Sequence, residues 1–202
     1  MGLLNWRKLE EHFGTDSEYL GFLRDSPSAA QRLCHILSNS RFLGDALNKS
    51  VESVTWLGSD NDLQPRSRES LDVQTHASLE RNAGSINDFA NSIRAMRRHE
   101  IERIGLGWMS GVIDDKASLA GMTDVYDAAI DASLTWAIRH QTQEMGLDEA
   151  PAAIAVIGMG RYGGREVNFS SDADVIIIYR PSDNADDNQA NLFARKVQED
   201  LR

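Results

Sequence analysis

Two aspartates near the end of the chain have the spacing that most suggests chemistry. Asp172 and Asp174 stand directly before a run of apolar, mostly β-branched residues, 175–179, which predicts a buried β-strand. Because alternate residues of a strand point to the same face, the two carboxylates are expected to project side by side. Paired anions at the rim of an apolar core repel each other unless a divalent cation bridges them to a phosphate. The spacing therefore predicts Mg²⁺ and a nucleotide here.

A glycine-rich loop, residues 158–164, lies just upstream of the aspartates. Gly158, Gly160 and Gly163 match the dinucleotide-binding fingerprint, but that fold needs a full helix between its two strands and an acidic residue at the end of the second strand. Only residues 164–171 separate the loop from the carboxylates, and both carboxylates precede the apolar run. The spacing therefore disfavours a dinucleotide-binding fold.

The same loop could hold phosphate in another way. A P-loop is excluded because Gly164-Arg165-Glu166 stands where Gly-Lys-Ser/Thr is required. Gly163 and Gly164 carry no side-chain bulk, so backbone amides there could approach phosphate oxygens, with Arg161 and Arg165 adding positive charge. The alternative is a purely structural tight turn. The nearby aspartate pair favours phosphate binding over that alternative.

Composition narrows the classes of partner. The chain has 202 residues, a formal net charge of −10 and a single cysteine, Cys34. The acidic balance argues against nucleic acid as a partner. No apolar run is long enough to span a membrane and no signal peptide is recognisable, so we expect a cytoplasmic protein. Cys34 is expected to be a small core residue.

One cluster of arginines is locally basic, in contrast to the negative net charge of the chain. It comprises four residues of a predicted helix: Arg94, Arg97, Arg98 and Arg103. Interleaved Glu100 and Glu102 can pair with them, so the cluster is predicted to form a solvated face rather than a nucleic-acid surface.

Sequence patterns divide the chain into a helical region, residues 1–115, and a second region, residues 116–202. The second region is predicted to open with a long helix over 118–145, where apolar residues recur at spacings of three and four. After Pro151 the pattern changes to a short strand, the glycine loop, the strand that follows the aspartates, and a final helix near Ala190. These elements predict an α+β fold that is mostly helical before the strands.

The run from Ile157 to Ile176 resembles the nucleotidyltransferase superfamily that includes DNA polymerase beta, and more specifically the glutamine synthetase adenylyltransferase family. The sequence of the predicted helices upstream, including Arg94-Ala95-Met96-Arg97-Arg98, is similar to that family as well. The resemblance covers nearly the whole chain. It implies a polymerase beta-like nucleotidyltransferase domain that is truncated at the C-terminus.

The resemblance implies a set of site residues. Asp172 and Asp174 match the metal-binding carboxylates of the family, and Gly163 and Gly164 match the turn that faces the nucleotide phosphates. Ser171 belongs to the same motif. Arg161 stands where lysine is common, and Arg165 follows the turn. A third carboxylate on a later strand completes the metal site in the superfamily, and none stands in such a context before Arg202.

The activity implied is transfer of AMP from ATP, with Mg²⁺, to a tyrosine of glutamine synthetase, and its removal by phosphorolysis in the other catalytic module of the family. The sequence of the upstream helices resembles the adenylylating module of the family, whereas Asn168-Phe169-Ser170-Ser171 resembles the deadenylylating module. The resemblance also implies PII signalling proteins as regulators. An alternative from a different class is a helical interaction module that docks glutamine synthetase. Residues 1–202 alone are expected to be inactive.

Overall fold

The computed structural model describes residues 2–183 and 185–201. Within that part of the chain, no helix combines the length and the apolar composition that crossing a bilayer requires. The mixture of many helices with a two-stranded antiparallel sheet confirms the α+β prediction. The elements are α1 (Gly2–Phe13), α2 (Ser17–Asp25), α3 (Pro27–Asn39), α4 (Arg41–Leu47), α5 (Val51–Thr55), a 3₁₀ turn (Trp56–Gly58), α6 (Arg68–Arg81), α7 (Ile86–Met109), α8 (Asp115–Glu144), β1 (Ala152–Gly158), α9 (Gly160–Gly163), β2 (Val175–Pro181) and α10 (Asp187–Asp200).

The chain forms two compact units. Unit 1 comprises residues 1–66 and 98–122, and unit 2 comprises residues 67–97 and 123–202. Both long helices, α7 and α8, contribute residues to each unit. The expected domain boundary between residues 115 and 116 stays a prediction.

Unit 1 has a helical core in which α3 takes a central part. Leu33, Ile36 and Leu37 are buried as their spacing predicts. Cys34, in contrast, is exposed, so its expected place in the core is wrong. It lies about 100° around the helix from Leu33, away from the apolar stripe. The core of this unit also contains Leu9, Tyr19, Ala29, Leu43, Leu47, Val54, Trp56, Leu57, Leu63 and Leu106.

Serine residues cap the N-terminal ends of several helices, as their position before an apolar helical run indicates. The hydroxyl of Ser40 accepts a hydrogen bond from the Leu43 amide at 3.2 Å, and that of Ser67 accepts one from the Ser70 amide at 3.2 Å. Ser85 caps α7 in the same way through the Asp88 amide at 3.3 Å. Each bond satisfies a backbone donor that has no partner within the first turn.

The last part of α7 contains two glycines. Glycine disfavours a helix interior, but α7 continues through Gly105 and Gly107 to Met109. Gly107 has a packing role, because a Cβ on it would lie 2.3 Å from the carbonyl oxygen of Leu63. The helix therefore keeps glycine at that position to let the backbone of another segment of unit 1 approach.

The predicted solvated face of the arginine cluster is wrong for its C-terminal part. Glu100, Glu102 and Arg103 are buried, at 2%, 4% and 7% exposure. The Arg103 guanidinium stacks on Trp56, with its Cζ 4.0 Å from the ring centroid, and its Nε lies 3.3 Å from Glu100 Oε2. Stacking and pairing offset the cost of burying these charges. The residues that remain exposed are Arg94, Arg97 and Arg98.

Glu102 provides a test of this buried cluster. Burial raises the pKa of the Glu102 carboxyl, and the charges of Arg98 and Arg103 oppose that effect only in part. A raised carboxyl pKa means that the folded protein binds more protons than the unfolded chain above about pH 4.5, so stability falls as the pH rises through that window. We expect Glu102→Gln to raise the melting temperature at pH 7. The gain should shrink as the pH is lowered toward 4.5, and Glu52→Gln, an exposed position, should produce neither effect.

Unit 2 contains the sheet. β1 and β2 pair antiparallel from Ala152 opposite Pro181 to Gly158 opposite Val175, and α10 buries Phe193 and Val197 completely. The prediction that β2 is a buried strand is wrong. Ile176 and Ile178 are 48% and 47% exposed, because among the described residues no element covers the face to which they point.

Candidate functional site

The glycine-rich turn and the aspartates lie together at one end of the two-stranded sheet. Gly158 ends β1 opposite Val175, the first residue of β2. The Met159 amide then donates to the Asp174 carbonyl at 2.8 Å, which extends the pairing by one step. The strands are antiparallel and the helix between them, α9, has four residues. This arrangement differs from the parallel strands and long helix of a dinucleotide-binding fold.

Both aspartates precede β2, which begins at Val175. The assumption that they stand within the strand is wrong, so strand alternation does not set the directions of their side chains. Both side chains are exposed. A Cβ placed on Gly160 would lie 3.8 Å from Asp174 Oδ2, so that carboxylate faces the glycine-rich turn. Asp172 lines a cavity on the helical side of the sheet.

The aspartate carboxylates are suited to a divalent cation. Among the described residues, neither Asp172 nor Asp174 forms an ion pair with a lysine, arginine or histidine that would neutralise its charge. Exposed carboxylate oxygens are the donors that Mg²⁺ prefers. Residues 2–183 and 185–201 contain no cluster of three or more acidic, histidine or cysteine side chains able to hold a metal. Binding of Mg²⁺ by Asp172 and Asp174 therefore stays a prediction.

Two of the loop glycines are required by the backbone, one by close packing and one by its conformation. A Cβ on Gly163 would lie 2.4 Å from the Gly158 carbonyl oxygen and 2.9 Å from its carbon, both backbone atoms. Gly160 has a positive φ of +53°, which L-residues rarely adopt. Gly164 is less restricted, since its Cβ would lie 3.3 Å from the Gly160 oxygen. The structural interpretation of the turn thus accounts for Gly163, and phosphate binding at Gly163 and Gly164 stays a prediction.

The two loop arginines differ in their surroundings. Arg165 has a φ of +57°, and its Nη2 lies 2.6 Å from Asp124 Oδ1 and its Nη1 3.5 Å from Asp127 Oδ2. The hydrogen bond that Arg165 donates to Asp124 raises the pKa of Arg165. Arg161 is exposed and forms no ion pair within the described part of the chain. Of the two, Arg161 has the guanidinium that is more available to a ligand.

A network of hydrogen bonds and ion pairs connects the turn to α8 and, through α8, to α6. The sequence patterns did not predict this network. Tyr162 is buried, and its hydroxyl donates to Asp127 Oδ1 at 2.7 Å. Burial, together with that carboxylate, raises the pKa of Tyr162. Arg68 of α6 lies 3.5 Å from Asp127 Oδ2 and 3.6 Å from Asp131 Oδ2, and 2.7 Å from Asp72 Oδ1. These contacts attach the glycine-rich turn to two helices of unit 2.

One sequence feature does point toward this network, namely the spacing of acidic residues along the long helix. Asp124, Asp127 and Asp131 recur at intervals of three and four, which places them on one face of α8. An acidic stripe on a helix is usually solvated, however, so the spacing alone could not identify its partners. Only the folded chain brings Arg68 and Arg165 to it.

Removing the Tyr162 hydroxyl tests this network. We expect Tyr162→Phe to lower the free energy of unfolding by about 1 kcal/mol, the usual net contribution of one hydrogen bond. Because the pKa of Tyr162 is raised from its ordinary value of 10.0, the stability that the bond contributes is present below about pH 10 and is lost as the pH rises further. The difference between the two proteins in chemical denaturation should therefore disappear at alkaline pH.

Tyr179 offers a matched control. It is 41% exposed, and its hydroxyl accepts from Asn191 Nδ2 at 2.8 Å. Tyr179→Phe should change stability by less than about 0.5 kcal/mol, as surface substitutions usually do. Equal losses in the two variants would contradict a specific role for the Tyr162–Asp127 bond.

Ser171 is held within a local turn. The Asn168 side-chain oxygen accepts hydrogen bonds from the Ser170 amide and hydroxyl and from the Ser171 hydroxyl, at 3.0, 2.9 and 3.0 Å. The Ser171 hydroxyl also accepts from the Asn168 amide at 3.1 Å. These bonds order the segment that leads into Asp172, and a role for the Ser171 side chain in nucleotide binding stays a prediction.

A cavity of about 630 Å³ adjoins Asp172. Its walls combine the apolar side chains of the sheet with two arginines of α7, and its volume falls in the range of small-molecule sites. The lining residues that bear on the aspartate segment are Arg94, Arg97, Tyr126, Asp172 and Val175.

Comparison with known proteins gives a consistent result. The profile of the glutamate–ammonia ligase adenylyltransferase family matches residues 30–201. A bifunctional glutamine synthetase adenylyltransferase/adenylyl-removing enzyme from Bifidobacterium longum (strain DJO10A) is 77% identical over 202 residues, covering 100% of this chain and 19% of the relative.

More distant relatives carry the same name. The protein from Leifsonia xyli subsp. xyli is 39% identical over 180 residues, covering 89% of this chain and 17% of the relative. The protein from Mycobacterium tuberculosis is 35% identical over 204 residues, covering 100% of this chain and 20% of the relative. The chain thus spans about a fifth of the length of these curated relatives.

Proposed function

Because this chain belongs to the glutamate–ammonia ligase adenylyltransferase family, we propose that it forms part of an enzyme that transfers AMP from ATP to glutamine synthetase. The family match over residues 30–201 and the names of the relatives support this proposal. Those relatives are described as bifunctional, so the same protein is proposed to remove AMP as well. Residues 1–202 are proposed to belong to the adenylylating half of that enzyme, with the deadenylylating half as the alternative.

The structural observation that best supports the proposal is the position of the aspartates. Asp172 and Asp174 are exposed, they form no ion pair among the described residues, and they adjoin a glycine-rich turn held by the sheet. We propose that they bind Mg²⁺ together with a carboxylate from outside this chain. The ion, when bound, would neutralise phosphate charge and so favour transfer of AMP.

The remaining predicted residues would act on the nucleotide. Gly163 and Gly164 present a backbone without side-chain bulk, Arg161 supplies an available positive charge, and Ser171 lies next to Asp172. Arg165 is proposed to contribute mainly through Asp124, since that carboxylate already accepts its hydrogen bond. Regulation by PII signalling proteins stays a prediction from the family resemblance.

In the proposed transfer, a tyrosine hydroxyl oxygen of glutamine synthetase forms a bond to the α-phosphorus of ATP. The bond between that phosphorus and the oxygen bridging to the β-phosphate breaks, pyrophosphate leaves, and the hydroxyl proton passes to solvent. Removal would be phosphorolytic: an oxygen of inorganic phosphate bonds to the phosphorus of the AMP–tyrosine linkage, the bond from that phosphorus to the tyrosine oxygen breaks, the tyrosine oxygen takes up a proton, and ADP leaves. The protein contributes by positioning the reactants and by holding charge close to the phosphates.

The test is incorporation of labelled AMP. The full-length protein that carries this sequence should label purified glutamine synthetase from ATP labelled at the α-phosphate, and a tyrosine-to-phenylalanine change at the modified residue should abolish labelling. Residues 1–202 alone should label nothing, because they hold two of the three carboxylates that the proposed metal site requires. Labelling by residues 1–202 would contradict the requirement for a further carboxylate.

A second candidate function is docking of glutamine synthetase by the helical unit. Leu3, Leu4 and Leu20 are 89%, 62% and 49% exposed, and large apolar side chains at a surface suit a protein partner where they form a patch. Under this hypothesis, Leu3→Ser together with Leu4→Ser should weaken binding of glutamine synthetase and leave ATP binding unchanged. Unchanged affinity for glutamine synthetase would exclude this surface.

A further inference from the structure

The backbone carbonyl directly before Asp172 is held by a side chain of α8. The Tyr126 hydroxyl donates a hydrogen bond to the Ser171 carbonyl oxygen at 3.3 Å. The same hydroxyl accepts one from Arg97 Nη2 at 2.8 Å. Ser171 is thereby connected to α8 through Tyr126, and to α7 through Arg97.

Tyr126 is itself well fixed. Only 8% of it is exposed, and its ring lies 6.2 Å from that of Tyr162 between centroids. The Arg97 guanidinium carbon lies 4.7 Å from the Tyr126 ring centroid. A hydrogen bond from a charged donor polarises the hydroxyl that accepts it, and this strengthens the bond that the hydroxyl donates onward.

The aspartate segment is anchored at both ends. At one end Tyr126 binds the Ser171 carbonyl, and at the other the Met159 amide binds the Asp174 carbonyl at 2.8 Å. Between these points the backbone carrying Asp172 and Asp174 is irregular and exposed. Its conformation therefore depends on the two anchors more than on regular secondary structure.

We propose that Tyr126, held by Arg97, is a positioning residue that fixes the backbone on which Asp172 stands. This inference rests on the proposed function for its consequence in cation binding. Arg97 of α7 and Tyr126 of α8 would thereby support the proposed metal site. The sequence pattern of neither helix indicates such a role. Neither residue is proposed to contact the nucleotide.

Hydrogen exchange measures the anchoring directly. In the full-length protein, Tyr126→Phe should speed exchange of the Ser171 amide, which now donates to the Asn168 carbonyl at 3.0 Å. The expected increase is roughly two- to tenfold, from the net contribution of one hydrogen bond. Arg97→Ala should have a similar but smaller effect, and Arg97→Lys, which keeps a charged N–H donor, should restore part of the protection.

Cation binding measures the consequence. We expect the affinity for Mn²⁺ with ATP, followed by the paramagnetic signal of free Mn²⁺, to fall by roughly two- to tenfold in Tyr126→Phe. The free energy of unfolding should fall by about as much as for Tyr162→Phe, so that the protein stays folded during the titration. Tyr179→Phe is the matched control, since it removes a hydroxyl of unit 2 that accepts its hydrogen bond from Asn191 at 2.8 Å, away from the aspartate segment, and it should alter neither measurement.

The outcomes separate this inference from the proposed function. Unchanged exchange at Ser171 in Tyr126→Phe would overturn the anchoring. Faster exchange with undiminished Mn²⁺ affinity would also overturn it, because Tyr126 would then be structural only. A parent protein that binds no Mn²⁺ with ATP would instead refute the proposed metal site, and with it the consequence drawn here.

Discussion

Asp172→Asn should lower AMP transfer by the full-length protein on the order of 10²–10³-fold, the loss that follows removal of one group that stabilises transition-state charge. Asparagine keeps the size of the side chain and removes its negative charge. Since Asp172 is exposed and forms no ion pair in the described part of the chain, the free energy of unfolding should change by less than about 0.5 kcal/mol. Transfer is measured as labelled AMP on glutamine synthetase, and stability by thermal melting.

Asp148 provides the matched control for charge. It is an exposed aspartate of unit 2, so Asp148→Asn makes the same change in net charge away from the proposed site and should leave transfer unaffected. Asp174→Asn is expected to behave like Asp172→Asn. Near-normal transfer in both site variants would remove the metal-binding role from these residues, whereas equal losses in the Asp148 variant would point to a general effect of charge.

Among these substitutions in unit 2, Gly163→Ala should lower the free energy of unfolding the most. The added Cβ would lie 2.4 Å from the Gly158 carbonyl oxygen, and neither backbone segment can rotate away as a flexible side chain could. The end of β1 and the turn must move apart, which we expect to lower the free energy of unfolding by about 1–3 kcal/mol, as overpacking generally does. Urea denaturation measures the change.

Two other glycines calibrate that measurement. Gly84→Ala places its Cβ in open space and should not destabilise unit 2. Gly164→Ala, whose Cβ would lie 3.3 Å from the Gly160 oxygen, should fall between the two. If Gly163→Ala were as stable as Gly84→Ala, the close approach of the turn to β1 would be contradicted.

Much of the fold could be predicted from local patterns. The caps at Ser40, Ser67 and Ser85 depend on a hydroxyl and an amide three residues apart, so they follow from sequence alone. The long helix α8 follows from sustained apolar spacing, and both strands follow from β-branched runs. The family prediction, made from the glycine loop and the aspartates, is confirmed by the match over residues 30–201.

Predictions that depended on burial were less successful. Cys34 is exposed, and Glu100, Glu102 and Arg103 are buried, in each case against expectation. Residue type indicates the average environment of a side chain, whereas the partners that a particular side chain meets depend on which helix packs beside it. Trp56 lies more than forty positions from Arg103, and no local pattern connects them.

By itself, the sequence determined the family, the helices with their caps, and the identity of the two carboxylates that follow the glycine-rich turn. These features depend on residue types at short separations. The tertiary structure decided that the aspartates precede β2, that Asp127 holds Tyr162, and that Tyr126 reaches the Ser171 carbonyl. Those contacts join residues 35 and 45 positions apart, because helix packing, not spacing along the chain, brings α8 against the turn.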